Sequence, residues 1–151
     1  MCDLSTILEW VTPVSTAGTF VMTIVSFWCV IKEYQRLRKR EKAEVLQHFN
    51  ERYSSDPNIE ATVKRLMKNE PELKDDNIDI IYENEMYMRF FEELKAQVDA
   101  GRIDLKEANY MFAYYAKKVD ELRNKFVSDY DTESWKRFRN FVTECKDMDN
   151  K

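Results

Sequence analysis

Two sets of residues in this chain have types and spacings that could do chemistry. The first is a line of hydroxyls, Thr12, Thr16, Thr19, Thr23 and Ser26, separated by 4, 3, 4 and 3 positions. On a helix at about 100° per residue they fall within roughly 80° of one another. Such a stripe can pack and bond weakly against a neighbouring helix. When several copies form a ring, it can line a narrow, wettable pore. A Thr or Ser hydroxyl can also satisfy itself on its own backbone. The second set is aromatic and basic: Arg89, Tyr110, Tyr114, Lys117 and Lys118. Rings of this kind stack on bases while the cations meet phosphates. The structural alternative is that the aromatics Tyr82, Tyr87, Phe90, Phe91, Tyr110, Phe112, Tyr114 and Tyr115 form the seam of a packed antiparallel helix pair.

Neither set is catalytic. A phosphate-cradling loop needs several glycines, and the chain has only Gly18 and Gly101. A His-based nucleophile would rest on His48 alone. Carboxylate pairs such as Glu83/Glu85 and Glu92/Glu93 are expected on solvated faces in a chain with 28 acidic residues. The cysteines Cys2, Cys29 and Cys145 are far apart, so neither a disulfide framework nor a zinc site is expected. The chain is therefore read as a non-enzyme without cofactor or catalytic metal, and His48 as a helix-surface residue.

The hydroxyl stripe is positioned by the most distinctive stretch. Residues 14–31 carry no charge over 18 positions. At 1.5 Å per residue, about 20 apolar residues cross a hydrocarbon core. The sequence predicts a transmembrane helix at 13–31, preceded by a lead-in at 1–12 outside the membrane. The weaker alternative is a buried helix of a soluble bundle. Asp3 and Glu9 precede the span, and Lys32, Arg36, Arg38, Lys39, Arg40 and Lys42 follow it. The positive-inside rule then places the N-terminus outside and the remainder in the cytoplasm. Trp10, Trp28 and Tyr34 lie near the interfaces, where amphipathic rings are favoured. Arg36, Arg38, Lys39, Arg40 and Lys42 can meet anionic headgroups. A basic n-region and a small-x-small cleavage site are lacking, so the segment reads as an uncleaved anchor.

Composition points to helices throughout. With 34% charged residues, 2 Gly and 3 Pro, the fold class is all-α. The net charge of −4 is uneven: −2 over residues 1–31, +3 over 32–48 and −5 over 49–151. The last part is too acidic for a general nucleic-acid binder. Nothing breaks the helix after Ile31, so a basic juxtamembrane helix is predicted at 32–53. A cytoplasmic helical domain of about four helices follows at 54–146, with a polar, frayed tail at 147–151. Asp56-Pro57 reads as N-cap and first position of a helix at 58–68. A second break falls at 69–76. A third helix is predicted at 77–100 with Gly101 as its C′ residue, a fourth at 105–126 behind the capping box Asp104/Glu107, and a last one at 133–145. Trp135, Lys136, Arg137 and Arg139 make a second basic-aromatic patch on that last helix.

The span, the basic helix and the motif Glu51-Arg52-Tyr53-Ser54-Ser55-Asp56-Pro57 together resemble a bacterial family of short single-span proteins of unknown function. Tyr87-x-x-Phe90-Phe91-Glu92 and Ala100-Gly101-Arg102-Ile103-Asp104 extend the likeness over residues 14–126. The layout is similar to that of membrane effectors in Hailong-type anti-phage defence systems. In those systems a nucleotidyltransferase partner makes a nucleic-acid signal that controls a membrane channel. The resemblance implies that role here, and with it a bacterial inner membrane as the location, a nucleotide or short nucleic-acid ligand and a nucleotidyltransferase in the same system. The stripe implies a homo-oligomer or a partner with a matching span. The expected function is a homo-oligomeric, ligand-gated pore. The competing expectation is a tethered helical adaptor that recruits a cytoplasmic protein.

Overall fold

In a computed structural model the protein is all-α. The structure describes residues 4–68 and 77–150, with side chains from residue 20 onward in the first helix. The break expected at 69–76 lies outside the described residues. Among the described residues five helices follow in order: α1 (Leu4–Ser55), α2 (Pro57–Lys68), α3 (Ile78–Asp99), α4 (Leu105–Leu122) and α5 (Lys136–Asp149). Single 3-10 turns at Arg123–Lys125 and Glu133–Trp135 separate the last two. The chain divides into two compact units, Met1–Arg40 and Glu41–Lys151.

Helix boundaries follow local chemistry. Asp56 stops α1, and its Oδ1 accepts the Asn58 N–H at 2.9 Å, with Pro57 in the first turn of α2. Asn77 caps α3 by accepting from the Asp79 N–H at 3.0 Å. Gly101, at φ +68°, ends α3. Its N–H reaches the Val98 carbonyl and the Arg102 N–H reaches the Gln97 carbonyl, both at 2.9 Å, which is the paired bonding of a Schellman end. Asp104 then caps α4 through the Lys106 N–H at 2.8 Å. The caps expected at Asp56, Gly101 and Asp104 are all in place.

Three boundaries differ from expectation. The fourth helix gives way after Leu122, where Arg123 takes φ +47°, and a 3-10 turn covers the residues expected to be its last turn. The last helix starts at Lys136, because Glu133–Trp135 forms a 3-10 turn. It also runs past Cys145 through Asp149, so the expected frayed tail is helical over 147–149. The cause is tertiary. Lys117 Nζ bonds the Asp149 carboxylate at 2.5 Å, and Asn109 Nδ2 bonds it at 3.2 Å.

The second unit has an aromatic core. Phe90 and Phe91 are fully buried on α3. Phe90 meets Phe49 of α1 at 5.5 Å, Tyr53 at 5.4 Å and Phe112 of α4 at 5.6 Å, while Phe91 meets Phe138 of α5 at 5.6 Å. Most of these rings meet edge to face, the arrangement the ring quadrupole favours. Phe49 and Tyr53 thus fix the C-terminal part of α1 to the bundle. The expected aromatic seam between α3 and α4 exists, but only in part. Tyr87, Phe90, Phe91 and Phe112 are buried, whereas Tyr82, Tyr110 and Tyr114 face solvent.

Candidate functional site

In the first unit, α1 displays an apolar surface. Phe20, Met22, Phe27 and Val30 are each at least two-thirds exposed, and Val21, Ile24, Val25, Trp28 and Ile31 are about half exposed. Among the described residues no helix is long and apolar enough to cross a membrane. Thr12, Thr16 and Thr19 of the stripe lie outside the residues whose side chains are described, as do residues 13–19 of the expected span. Ser26 Oγ donates to the Met22 carbonyl at 2.8 Å, the i−4 bond open to a helical hydroxyl. Thr23 is exposed beside it. Lys32 Nζ sits 3.9 Å from the Trp28 ring centroid, and the Arg38 guanidinium 5.3 Å from that of Tyr34. Arg36, Arg38, Lys39 and Arg40 are exposed, and Lys42 is half-buried.

The five residues expected to hold a ligand are spread over different surfaces. Tyr110 is 92% exposed on α4, with Tyr114 one turn on. Lys118 lies 6.0 Å from the Tyr114 ring centroid and bonds the Leu66 carbonyl of α2 at 3.2 Å. Lys117 points the other way, to Asn109 and Asp149. Arg89 stands on α3, 3.8 Å from Glu85, and lines a shallow cleft with Glu92, Asp129, Ser134 and Trp135. None of the four α4 residues lines that cleft. The second basic-aromatic patch is likewise divided. Trp135 is buried and its Nε1 donates to Asp129 at 2.8 Å. Arg139 donates to the carbonyls of Tyr130 and Thr132. These two hold the α4–α5 connection together and are not free to bind anything else.

The structure gathers a different set. A cleft of about 700 Å³ lies between the end of α1 and α3. Its walls carry Arg52, Arg102 and Arg137, with His48, Glu44 and Glu93. Arg52 pairs with Glu93 and lies 5.8 Å over the Phe90 ring. The Arg102 guanidinium reaches Gln97 Oε1 at 3.4 Å, a long contact to a neutral group. Arg137 is exposed at the start of α5. His48 is on the helix surface, as expected. The only signal in the sequence for this set is the i, i+4 line Glu44, His48 and Arg52, which shares one face of α1. Arg102 and Arg137 join it through folding alone.

Several groups titrate away from their ordinary ranges. Burial pushes the Glu92 carboxyl up, against the opposing effect of the Phe138 N–H it accepts. Burial also raises the Tyr53 and Tyr87 hydroxyls, and raises the Cys145 thiol to about 11. A thiol with that pKa and no exposure is a poor nucleophile. Among the described residues no group of three or more His, Cys, Asp or Glu is placed to hold a metal ion. Comparison with family models, with curated proteins and with solved structures finds no match to this chain.

Proposed function

We propose that the chain is a homo-oligomeric membrane effector whose spans, residues 13–31, assemble into a ligand-gated pore. In this reading the N-terminus is outside, the helical domain is in the cytoplasm and Arg36, Arg38, Lys39, Arg40 and Lys42 lie against anionic headgroups. The observation that carries it is the apolar surface of residues 20–31, exposed on nearly every side of α1. A surface of that kind on a single chain calls for lipid or other copies to cover it. The uncharged run of 18 residues in the sequence gives it enough length for a bilayer. Trp28 with Lys32, and Tyr34 with Arg38, fit the aromatic and basic belt at the cytoplasmic interface. The hydroxyl stripe supports assembly, because a lone span in lipid gains nothing from it. A nucleotide or short nucleic acid as the gating signal, a nucleotidyltransferase as its source and anti-phage defence as the setting rest on the resemblance described above.

A second reading is favoured by one observation. The Ser26 hydroxyl is already satisfied by the Met22 carbonyl, so this part of the stripe tolerates lipid without a partner. The span then serves only as an anchor, and the helical domain recruits a cytoplasmic protein. Replacing residues 13–31 with an unrelated membrane anchor separates the two. A pore loses its cellular activity after the swap, and an adaptor keeps it. Recovery of the native chain in the soluble fraction, without detergent, would overturn both.

A further inference from the structure

We infer that the cleft walled by Arg52, Arg102 and Arg137 is a binding site for a small phosphate-bearing anion, with Arg102 and Arg137 as its principal ligands. The inference deepens the sensing role proposed above and rests on that reading for its biological purpose. Its physical basis is separate.

Three guanidiniums from three separated segments line one cleft: Arg52 from α1, Arg102 from the α3–α4 turn and Arg137 from α5. They converge in a part of the chain that is acidic, since residues 49–151 carry −5. Composition alone does not force such a concentration. Two carboxylates share the walls, Glu44 and Glu93. Glu93 is occupied by Arg52. Neither Arg102 nor Arg137 has an ion-pair partner within 4.0 Å among the described residues. Planar guanidinium forks match phosphate oxygens in pairs and are weakly hydrated, which makes arginine suited to phosphate recognition. The cleft's 700 Å³ lies within the range of small-molecule sites, about 300–1,000 Å³. His48 at the edge adds a ring for stacking.

The cleft is also placed to transmit occupancy. Arg52 belongs to α1, the same helix that carries the apolar segment, and its partner Glu93 belongs to α3. A phosphate between Arg102 and Arg137 competes with Glu93 for Arg52. It thereby changes what ties the end of α1 to the bundle, the differential contact that coupling requires.

The test uses the full chain in phosphatidylcholine nanodiscs, with pyrophosphate and ATP as probes in calorimetric titrations. Both probes should bind the native chain. R102A and R137A should each weaken binding about tenfold, and the double variant more, as expected for loss of a charge-assisted hydrogen bond. K136A, which removes an exposed cation beside the cleft, should leave binding unchanged. All three side chains are exposed, so the variants keep the fold, checked by circular dichroism. A second arm uses phosphatidylglycerol nanodiscs. If phosphatidylglycerol blocks pyrophosphate in the native chain, and the double variant no longer prefers it, the phosphate is a lipid headgroup. If the probes bind equally in both lipids, the ligand is a soluble phosphate. Absence of binding by the native chain, or equal binding by the double variant, overturns the site. Conductance read in parallel separates this outcome from failure of the pore. Binding in a silent bilayer keeps the site and sinks the pore, whereas currents that persist without binding do the reverse.

Discussion

The Glu92 carboxylate on α3 accepts the backbone N–H of Phe138 at 2.7 Å and so caps the first turn of α5 from another helix. No side chain of α5's own start supplies that cap. Helix N-termini leave donors unpaired, and a carboxylate also meets the positive end of the helix dipole. Glu92→Ala should therefore cost about 1 kcal/mol, and Glu92→Gln, which keeps the acceptor, less. Burial raises the Glu92 pKa in the folded chain. The proton-linked part of its stability, set by the cost of burying the charge, is thus present below its ordinary pKa of 4.5 and is lost as pH rises through the raised value, while the capping bond persists in the carboxylate. The Gln variant should lose that part of the pH dependence, read from thermal unfolding between pH 4 and pH 8.

Lys95 is 4% exposed, yet its ammonium is fully engaged. It bonds Asp99 at 2.6 Å and both oxygens of Glu144 at 2.7 and 2.8 Å, tying α3 to α5. Burial opposes its charge, and the two carboxylates outweigh burial to raise its pKa. The pair contributes fully below the ordinary value of 10.5 and is lost as pH rises beyond the raised one. Lys95→Met should be nearly neutral, within about 1 kcal/mol, because both carboxylates are partly exposed and rehydrate. Lys95→Ala should cost more, since it leaves a hole where the stem was packed. Denaturation midpoints of the two variants decide the matter. Equal losses would contradict this account of the pair.

Asp120 links three elements. The Tyr130 hydroxyl donates to it, and Lys146 Nζ meets it at 2.6 Å. Burial pushes the Asp120 carboxyl up, but these two bonds prevail and leave it below the ordinary 3.8. The stabilisation is therefore present above pH 3.8 and fades as pH falls through the lowered value. Tyr130→Phe should cost about 1–2 kcal/mol at neutral pH and move acid unfolding to higher pH. An acid transition identical to the native one would show that the hydroxyl contributes nothing.

The cysteines report on lipid. Cys29 is exposed on the apolar segment of α1, and Cys145 is buried in the second unit. In a bilayer, Cys29 should resist a charged maleimide, because the thiolate that reacts does not form in hydrocarbon, while Cys145 resists it until the chain unfolds. Mass spectrometry of the adducts reads this directly. Rapid labelling of Cys29 in the folded, inserted chain would place it in water.

What the sequence made legible was local. Asp56, Pro57, Gly101 and Asp104 shape the backbone within a few residues of themselves, so their types and order suffice to place the breaks. What it concealed was tertiary. Glu92 and Phe138 are 46 residues apart, and Lys95 and Glu144 are 49 apart. The same reason explains why α5 runs on to Asp149, since Lys117 and Asn109 hold it from α4. It also explains the site. Tyr110, Tyr114 and Lys118 share one stripe of α4, but Lys117 turns aside to Asn109 and Asp149, and Arg89 stands on α3. Arg52, Arg102 and Arg137 are far apart in sequence and are brought to one cleft only by the packing of α1, α3 and α5.

The most direct test of the membrane-effector reading is single-channel recording of the purified full chain in a planar bilayer, with and without ATP and short oligonucleotides. The account predicts discrete current steps whose frequency changes with the added phosphate ligand. It also predicts their loss in a Thr19→Leu, Thr23→Leu variant that still inserts. A silent bilayer with insertion confirmed, or steps unaltered in that variant, would contradict it.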